Sequence, residues 1–163
     1  MRDSCAELWA AFLGSGSPAA TSAVAASYSS WQFGYGVEMG DRLVGLVLSG
    51  RKRATTGALW TYELEGEPLP RVGDFSVVTD GAGVARCVIR TTSVEIVAFD
   101  DVDEVFARDE GEGDLSLDYW RDGHWAFFSH ELEGLGRIPE PDMPVVCERF
   151  EVVYPTDSES SMT

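Results

Sequence analysis

Positive charge is scarce in this chain: 12 Lys and Arg stand against 28 Asp and Glu in 163 residues, a formal charge of −16. Proteins that grip a nucleic-acid backbone neutralise its phosphates with cations, and this chain repels polyanions overall. Any nucleic-acid role must therefore use a local basic patch, or a substrate as small as a nucleoside. Cysteine is also sparse. Cys5, Cys87 and Cys147 are odd in number and far apart, with no C-x-x-C pair and no zinc spacing, so they are expected to be reduced packing residues. The longest apolar stretches, such as 43–48, fall far below the roughly 20 residues that cross a bilayer. The first residues carry acids at 3 and 7 and no apolar signal core, so a cytoplasmic protein is expected. The two histidines, His124 and His130, make no zincin motif, and neither G-x-x-x-x-G-K-[ST] nor G-x-G-x-x-G occurs.

What the chain does have is apolar bulk. Some 44% of residues are hydrophobic, with 5 Trp, 5 Tyr and 8 Phe spread through the middle, enough for one domain with a buried core and a terminal extension. Residues 5–13 repeat apolar positions at helical spacing up to Gly14, and Ser17-Pro18 opens an Ala-rich run that reads as helix to Tyr28. Trp31 to Gly36 reads as an aromatic loop, followed by a helix from Glu38 that Gly50 closes. Residues 54–62 read as a strand. Strands at 74–79 and 84–97 are joined by the turn Asp80-Gly81-Ala82-Gly83. Asp100 is expected to cap a helix to about Arg108, and Asp114 a second one carrying Tyr119, Trp120, Trp125 and Phe128. A last strand runs from Val145 to Tyr154. The order of elements predicts an α+β fold, a small mixed sheet or barrel flanked by helices. Residues 1–30 form an N-terminal helical extension, 31–154 the main domain and 155–163 a disordered tail.

Three groups of residues can carry chemistry. The densest positive charge, Arg51-Lys52-Arg53, either complements a helix C-terminus or places Lys52 within reach of the Thr55 hydroxyl, where a desolvated amine can act as base. Glu110 and Glu112, expected in a loop between two helices, are either solvated acids or carboxylates that approach a cleft through flanking glycines. Among the aromatics Trp31, Phe33, Tyr35, Trp60 and Tyr62, core packing competes with stacking on a planar base; Trp60 and Tyr62 are expected on one strand face. Arg86 and Arg90 share a face opposite Cys87 and Ile89. No cofactor is expected, although the eight carboxylates from Asp100 to Asp114 can hold a divalent ion weakly.

Several separate stretches, in order, resemble the ASCH domain family. They are 46–55 (LVLSGRKRAT), Gly66-Glu67-Pro68-Leu69-Pro70 with Val72-Gly73-Asp74, and Ala107 to Asp114 with Ser116 and Tyr119-Trp120. The similarity spans roughly 31–154. It implies a PUA-like β-barrel flanked by helices, and an RNA-associated function that includes hydrolysis of N4-acetylcytidine to cytidine and acetate, or cleavage of RNA. The family motif G-x-K-x-x-T-x-R falls on Gly50, Lys52 and Thr55, with Gly57 where the motif has Arg. The resemblance then makes Lys52 the base, Thr55 the nucleophile and Glu110 the proton donor. Arg51, Arg53, Arg86, Trp31, Phe33 and Trp60 are candidates for holding substrate. The expected partner is a nucleoside or short single-stranded RNA, with neither DNA nor membrane. The primary expectation is a hydrolase of an acylated nucleoside, the alternatives a single-stranded RNA-binding domain or ribonuclease, and a ligand-sensing barrel without turnover.

Overall fold

The computed structural model describes residues 3–155, so the expected tail 155–163, apart from Pro155, lies outside the described residues. The chain runs α1 (Ser4–Leu13), α2 (Pro18–Ala23), β1 (Tyr28–Gln32), α3 (Gly36–Leu48), β2 (Ala54–Ala58), α4 (Leu59–Glu65), β3 (Phe75–Thr79) and β4 (Ala85–Ala98). A single 3-10 turn at Phe99–Asp101 leads to α5 (Glu104–Glu110), α6 (Leu117–Gly134) and β5 (Pro144–Tyr154). The strands pair in the order β1-β3-β4-β5-β2, parallel between β1 and β3 and antiparallel in the β3–β4 and β2–β5 ladders. The fold is α+β. No helix among the described residues is long and apolar enough to cross a membrane.

Two compact units divide the chain. Among the described residues, one comprises 3–49, 73–91 and 150–155. Its strand β3 is buried on both faces, so alternate residues feed two cores: Phe75 and Val77 pack with Trp9, Phe12 and Val88, while Val78 packs with Phe33, Leu43, Val47 and Ile89. The other comprises Gly50–Val72 and Thr92–Arg149. There Phe106 and Ala107 of α5, Trp120, Phe128 and Leu132 of α6, Ala54 and Ala58 of β2, and Val145 and Cys147 of β5 enclose one core. Burying each large side chain of that set contributes roughly 1.5–3 kcal/mol, which fixes α5 and α6 against the strands.

Several local expectations change. The Ala-rich run is helical only to Ala23, and Tyr28 instead opens β1, paired in parallel with Phe75; Trp31 and Gln32 belong to that strand and not to a loop. Residues 54–62 are not one strand. The extended chain stops at Ala58, and Leu59–Glu65 is helical, closed by Gly66 at φ 68. A glycine free to adopt that left-handed geometry closes the helix, and the helix formers Leu59, Glu63, Leu64 and Glu65 outweigh the β preference of Trp60 and Tyr62. Those two aromatics therefore share no strand face. The cap of α5 is Asp103, which accepts from Phe106 N, and not Asp100, which lies in the 3-10 turn. Likewise α6 is capped by Ser116, while Asp114 accepts from the Ser116 N–H one turn earlier. Glu110 is the last residue of α5 and not part of a loop.

Candidate active site

The basic tract 51–53 follows α3 and leads into β2, and the end of α5 lies against it. Gly111 makes that approach possible. Its φ is +73, and a Cβ there would stand 2.2 Å from the Arg51 carbonyl oxygen and 2.8 Å from Lys52 N. Only glycine tolerates both the conformation and the closeness. The Arg53 N–H donates to Asp109 O at 2.8 Å, and the Arg51 guanidinium donates to Gly113 O at 2.5 Å. These backbone contacts lock two segments nearly sixty residues apart in sequence and set Lys52 opposite Glu110.

Both side chains are buried, each about 1% exposed, and Lys52 Nζ lies 2.9 Å from Glu110 Oε1. The ammonium also donates to Glu112 Oε2 at 3.1 Å and to the Ala54 carbonyl at 2.8 Å. The other oxygen of Glu110 is crowded. Oε2 accepts from the Thr56 hydroxyl at 2.6 Å, the Trp120 indole N–H at 2.5 Å and His124 Nε2 at 3.0 Å. Helix α6 supplies the last two because positions 120, 124 and 128 fall on one helical face. His124 stacks on Trp120 with ring centroids 4.3 Å apart and meets Phe128 edge-on.

Electrostatics in this cluster run opposite to what burial alone would give. Burial raises the proton affinity of Glu110, but the His124 and Lys52 cations and the hydrogen bonds from His124 and Thr56 outweigh it, holding the carboxyl well below the usual carboxylate range. Burial pushes Lys52 down, and Glu110 and Glu112 more than reverse that. The same balance raises His124, with burial and Lys52 opposing and the two glutamates prevailing. These shifts favour the carboxylate of Glu110, the ammonium of Lys52 and the imidazolium of His124.

Glu110, Glu112 and His124 also offer three ligand atoms within 4.8 Å of one another. Lys52 Nζ, bonded to both glutamates, already supplies the positive charge that a metal ion would bring there. A divalent ion would compete with that ammonium.

Of the residues expected to act together, Lys52 and Glu110 are in direct contact and Glu112 joins them. Thr55 sits differently. Burial alternates along β2, placing Thr56 on the core face with Ala54 and Ala58, and Thr55 on the other face, across from Glu148 of β5. Lys52 Nζ reaches the carbonyl of Ala54, the peptide that leads into Thr55. The Thr55 hydroxyl has no hydrogen-bond partner among the described residues. At Gly57, where the family motif carries Arg, the Tyr62 ring of α4 fills the space: a Cβ would lie 2.8 Å from Tyr62 Cε2 and 3.1 Å from its hydroxyl. Burial and the nearby Glu148 push the Tyr62 phenol up to about 12.

The expected substrate-holding residues are scattered. Arg53 pairs with Asp109 at 3.1 Å and stays mostly exposed. Trp60 is covered by the Arg137 guanidinium, 3.5 Å above its ring. Trp31 and Phe33 belong to the other unit and pack edge-to-face at 4.7 Å, with Phe33 in its core. Arg86, also in that unit, faces Asp80 at 3.6 Å. Two residues of the cluster were not singled out from the sequence, Thr56 and His124. The signal for His124 was its i, i+4 spacing from Trp120 and from Phe128, which only the opposing Glu110 turns into a contact.

The family model for the ASCH domain matches residues 29–154. The chain belongs to the ASCH domain family. A crystal structure of an ASCH domain from Lactobacillus crispatus JV V101 is 36% identical over 94% of this chain and 96% of that one, with a TM-score of 0.86. The crystal structure of protein EF3133 from Enterococcus faecalis V583 is 40% identical over 83% of this chain and 81% of its own, with a TM-score of 0.71. No curated protein matches. This ASCH protein thus has the α+β, PUA-like fold of an RNA-associated family, and the cluster at Lys52 and Glu110 is built from the two segments that carry its motifs.

Proposed function

We propose that this ASCH protein hydrolyses the amide of an acylated nucleoside, N4-acetylcytidine being the model substrate. The observation that carries this reading is the buried Lys52–Glu110 pair, 2.9 Å apart. Amide hydrolysis needs a base for the nucleophile and an acid for the departing amine, and one proton moved along this hydrogen bond, from Nζ to Oε1, creates both. Glu112 is the partner that entering substrate displaces from Lys52, since its carboxylate is the more exposed of the two.

The steps balance with no further reagent. Thr55, whose hydroxyl is uncommitted while that of Thr56 is held by Glu110, is the nucleophile; because it starts on the face of β2 opposite Thr56, it must turn towards Lys52 as it attacks the acyl carbon and gives its proton to the amine. Glu110 gives its proton to N4, cytidine leaves, and an acyl ester remains on Thr55. Water then repeats the cycle: one proton goes to Lys52, its hydroxyl to the acyl carbon, and Glu110 reprotonates the Thr55 oxygen as acetic acid departs, to ionise in solution. Each half-reaction returns the pair to ammonium and carboxylate. A neutral nucleoside also suits a chain of charge −16 better than a polyanion does.

Chromatography of cytidine released from N4-acetylcytidine tests the reading. Turnover by the unmodified protein, lost by about 10²-fold or more in Lys52→Ala and Glu110→Gln, is the expected result. Full turnover in Lys52→Ala overturns it. A second reading, binding or cleavage of single-stranded RNA, is favoured by Arg53, whose side chain is 63% exposed beside Arg51. It requires an affinity for short RNA that weakens as salt rises.

A further inference from the structure

The two nitrogens of His124 face atoms that can only accept hydrogen bonds. Nδ1 lies 2.8 Å from the Trp120 carbonyl oxygen, and Nε2 lies 3.0 Å from Glu110 Oε2. A neutral imidazole carries one N–H and would leave one of these contacts as two acceptors face to face. The ring is packed between Trp120 and Phe128 with only 14% of its side chain exposed, and both nitrogens sit at hydrogen-bond distance from protein oxygens, so the repulsion would fall within the cluster itself. Only the doubly protonated ring satisfies both. On the acceptor side, Glu110 Oε2 already receives Thr56 Oγ1, Trp120 Nε1 and His124 Nε2. Three donors leave no site on that oxygen for a proton of its own.

We propose that His124 is a permanently protonated positioning residue, whose imidazolium, held between the Trp120 carbonyl and Glu110 Oε2, confines any proton taken up by Glu110 to Oε1, the oxygen facing Lys52. The carboxyl is thereby a directional group. It can exchange a proton with Lys52 and with whatever sits beside Lys52, and with nothing on the α6 side. The charge on His124 keeps that proton on Lys52 until a substrate arrives. The groups facing His124 are Glu110 of α5, Glu112 of the following loop and Lys52 before β2. The Cys147 thiol of β5 faces Glu110 in the same cluster, and burial pushes it up to about 12, so it stays neutral. The value of this arrangement to catalysis rests on the hydrolase reading; the charge and orientation of the ring do not.

Two substitutions separate charge from hydrogen bonding. His124→Gln keeps an N–H donor towards Glu110 and removes the charge, whereas Thr56→Val removes a neutral donor to the same oxygen and keeps the charge. In the unmodified protein, nitrogen NMR of labelled histidine is expected to show protons on both ring nitrogens of His124 at neutral pH. Carbon NMR is expected to show Glu110 still ionised at acidities that protonate an ordinary glutamate, with His124→Gln bringing its protonation step back towards the ordinary carboxylate range and Thr56→Val bringing no comparable shift. A neutral His124 ring overturns the proposal, and so does a Glu110 titration that His124→Gln leaves unchanged or that Thr56→Val moves as far. If His124→Gln fails to fold, the histidine spectrum of the unmodified protein decides. If N4-acetylcytidine is turned over, the acid limb of kcat/KM rises in His124→Gln. If it is not, the hydrolase reading falls, and the two spectra still decide His124.

Discussion

Lys52 with Glu110 and Arg53 with Asp109 join the same two segments, one residue apart on each side, yet they are opposite kinds of ion pair. The first is buried, with its carboxylate receiving further donors from Thr56, Trp120 and His124. The second lies at the surface, where Asp109 is shared between Arg53 and Arg149. Water screens the outer pair and leaves its groups interchangeable. The inner one has lost its water, so each charge depends on the other, and a single proton moved between them changes the chemistry of the whole cluster. Adjacent residues thus divide into a surface tie and a buried pair by desolvation alone.

The largest contrast should come from removing one cation of each pair. Lys52→Met removes the buried partner of Glu110 Oε1 and one partner of the half-buried Glu112, and is expected to cost about 3–5 kcal/mol in urea unfolding. Arg53→Met is expected to cost no more than about 1 kcal/mol, an effect that fades at high salt. A Lys52→Met protein as stable as the Arg53→Met one would erase the distinction.

Gly111→Ala attacks the joint that both pairs share. The positive φ and the 2.2 Å approach to Arg51 O both oppose a Cβ, so a loss of about 2 kcal/mol or more is expected, with both pairs loosened together. Unchanged thermal melting would show that the two segments are held elsewhere.

Stability against pH sharpens the comparison further. Glu110 is depressed in the folded state, so its contribution is complete above its ordinary value of 4.5 and drains away as pH falls below it. His124 is raised, so its contribution is complete below 6.5 and is lost as pH rises from there through the folded value. Melting temperatures should therefore crest between these two values. In Glu110→Gln that crest should flatten, whereas in Arg53→Met it should persist.

The smallest effect separates the neighbouring threonines. Thr56→Val removes a buried donor to Glu110 and is expected to cost about 1–3 kcal/mol with some turnover retained. Thr55→Val is expected to leave stability within about 0.5 kcal/mol and to abolish hydrolysis of N4-acetylcytidine. The reverse pattern would move the nucleophile to Thr56.

Much of this was legible in the chain. The helix ending at Gly14, the strands flanking Asp80-Gly81-Ala82-Gly83 and the last strand follow from periodicity and turn residues, and the structure contains each of them. The α+β order, and with it the ASCH fold, could be read from those elements and from the motifs. Trp60 and Tyr62 have β-favouring side chains, yet they lie in a helix that Gly66 closes. No local spacing marks His124, because its partner is a carboxylate 14 positions earlier in the sequence and not the other histidine.

By itself the sequence determined which residue types the site would contain: a lysine after a glycine turn, threonines behind it, and glutamates between glycines. Only tertiary structure decided which of the adjacent choices turned inward. It took Lys52 and not Arg53, Glu110 and not Asp109, and it brought Thr56 rather than Thr55 onto Glu110. Neighbouring residues have nearly the same local preferences, so the choice between them depends on desolvation. Water is removed only when α5, α6 and β2 pack together, and no stretch of sequence carries that information alone.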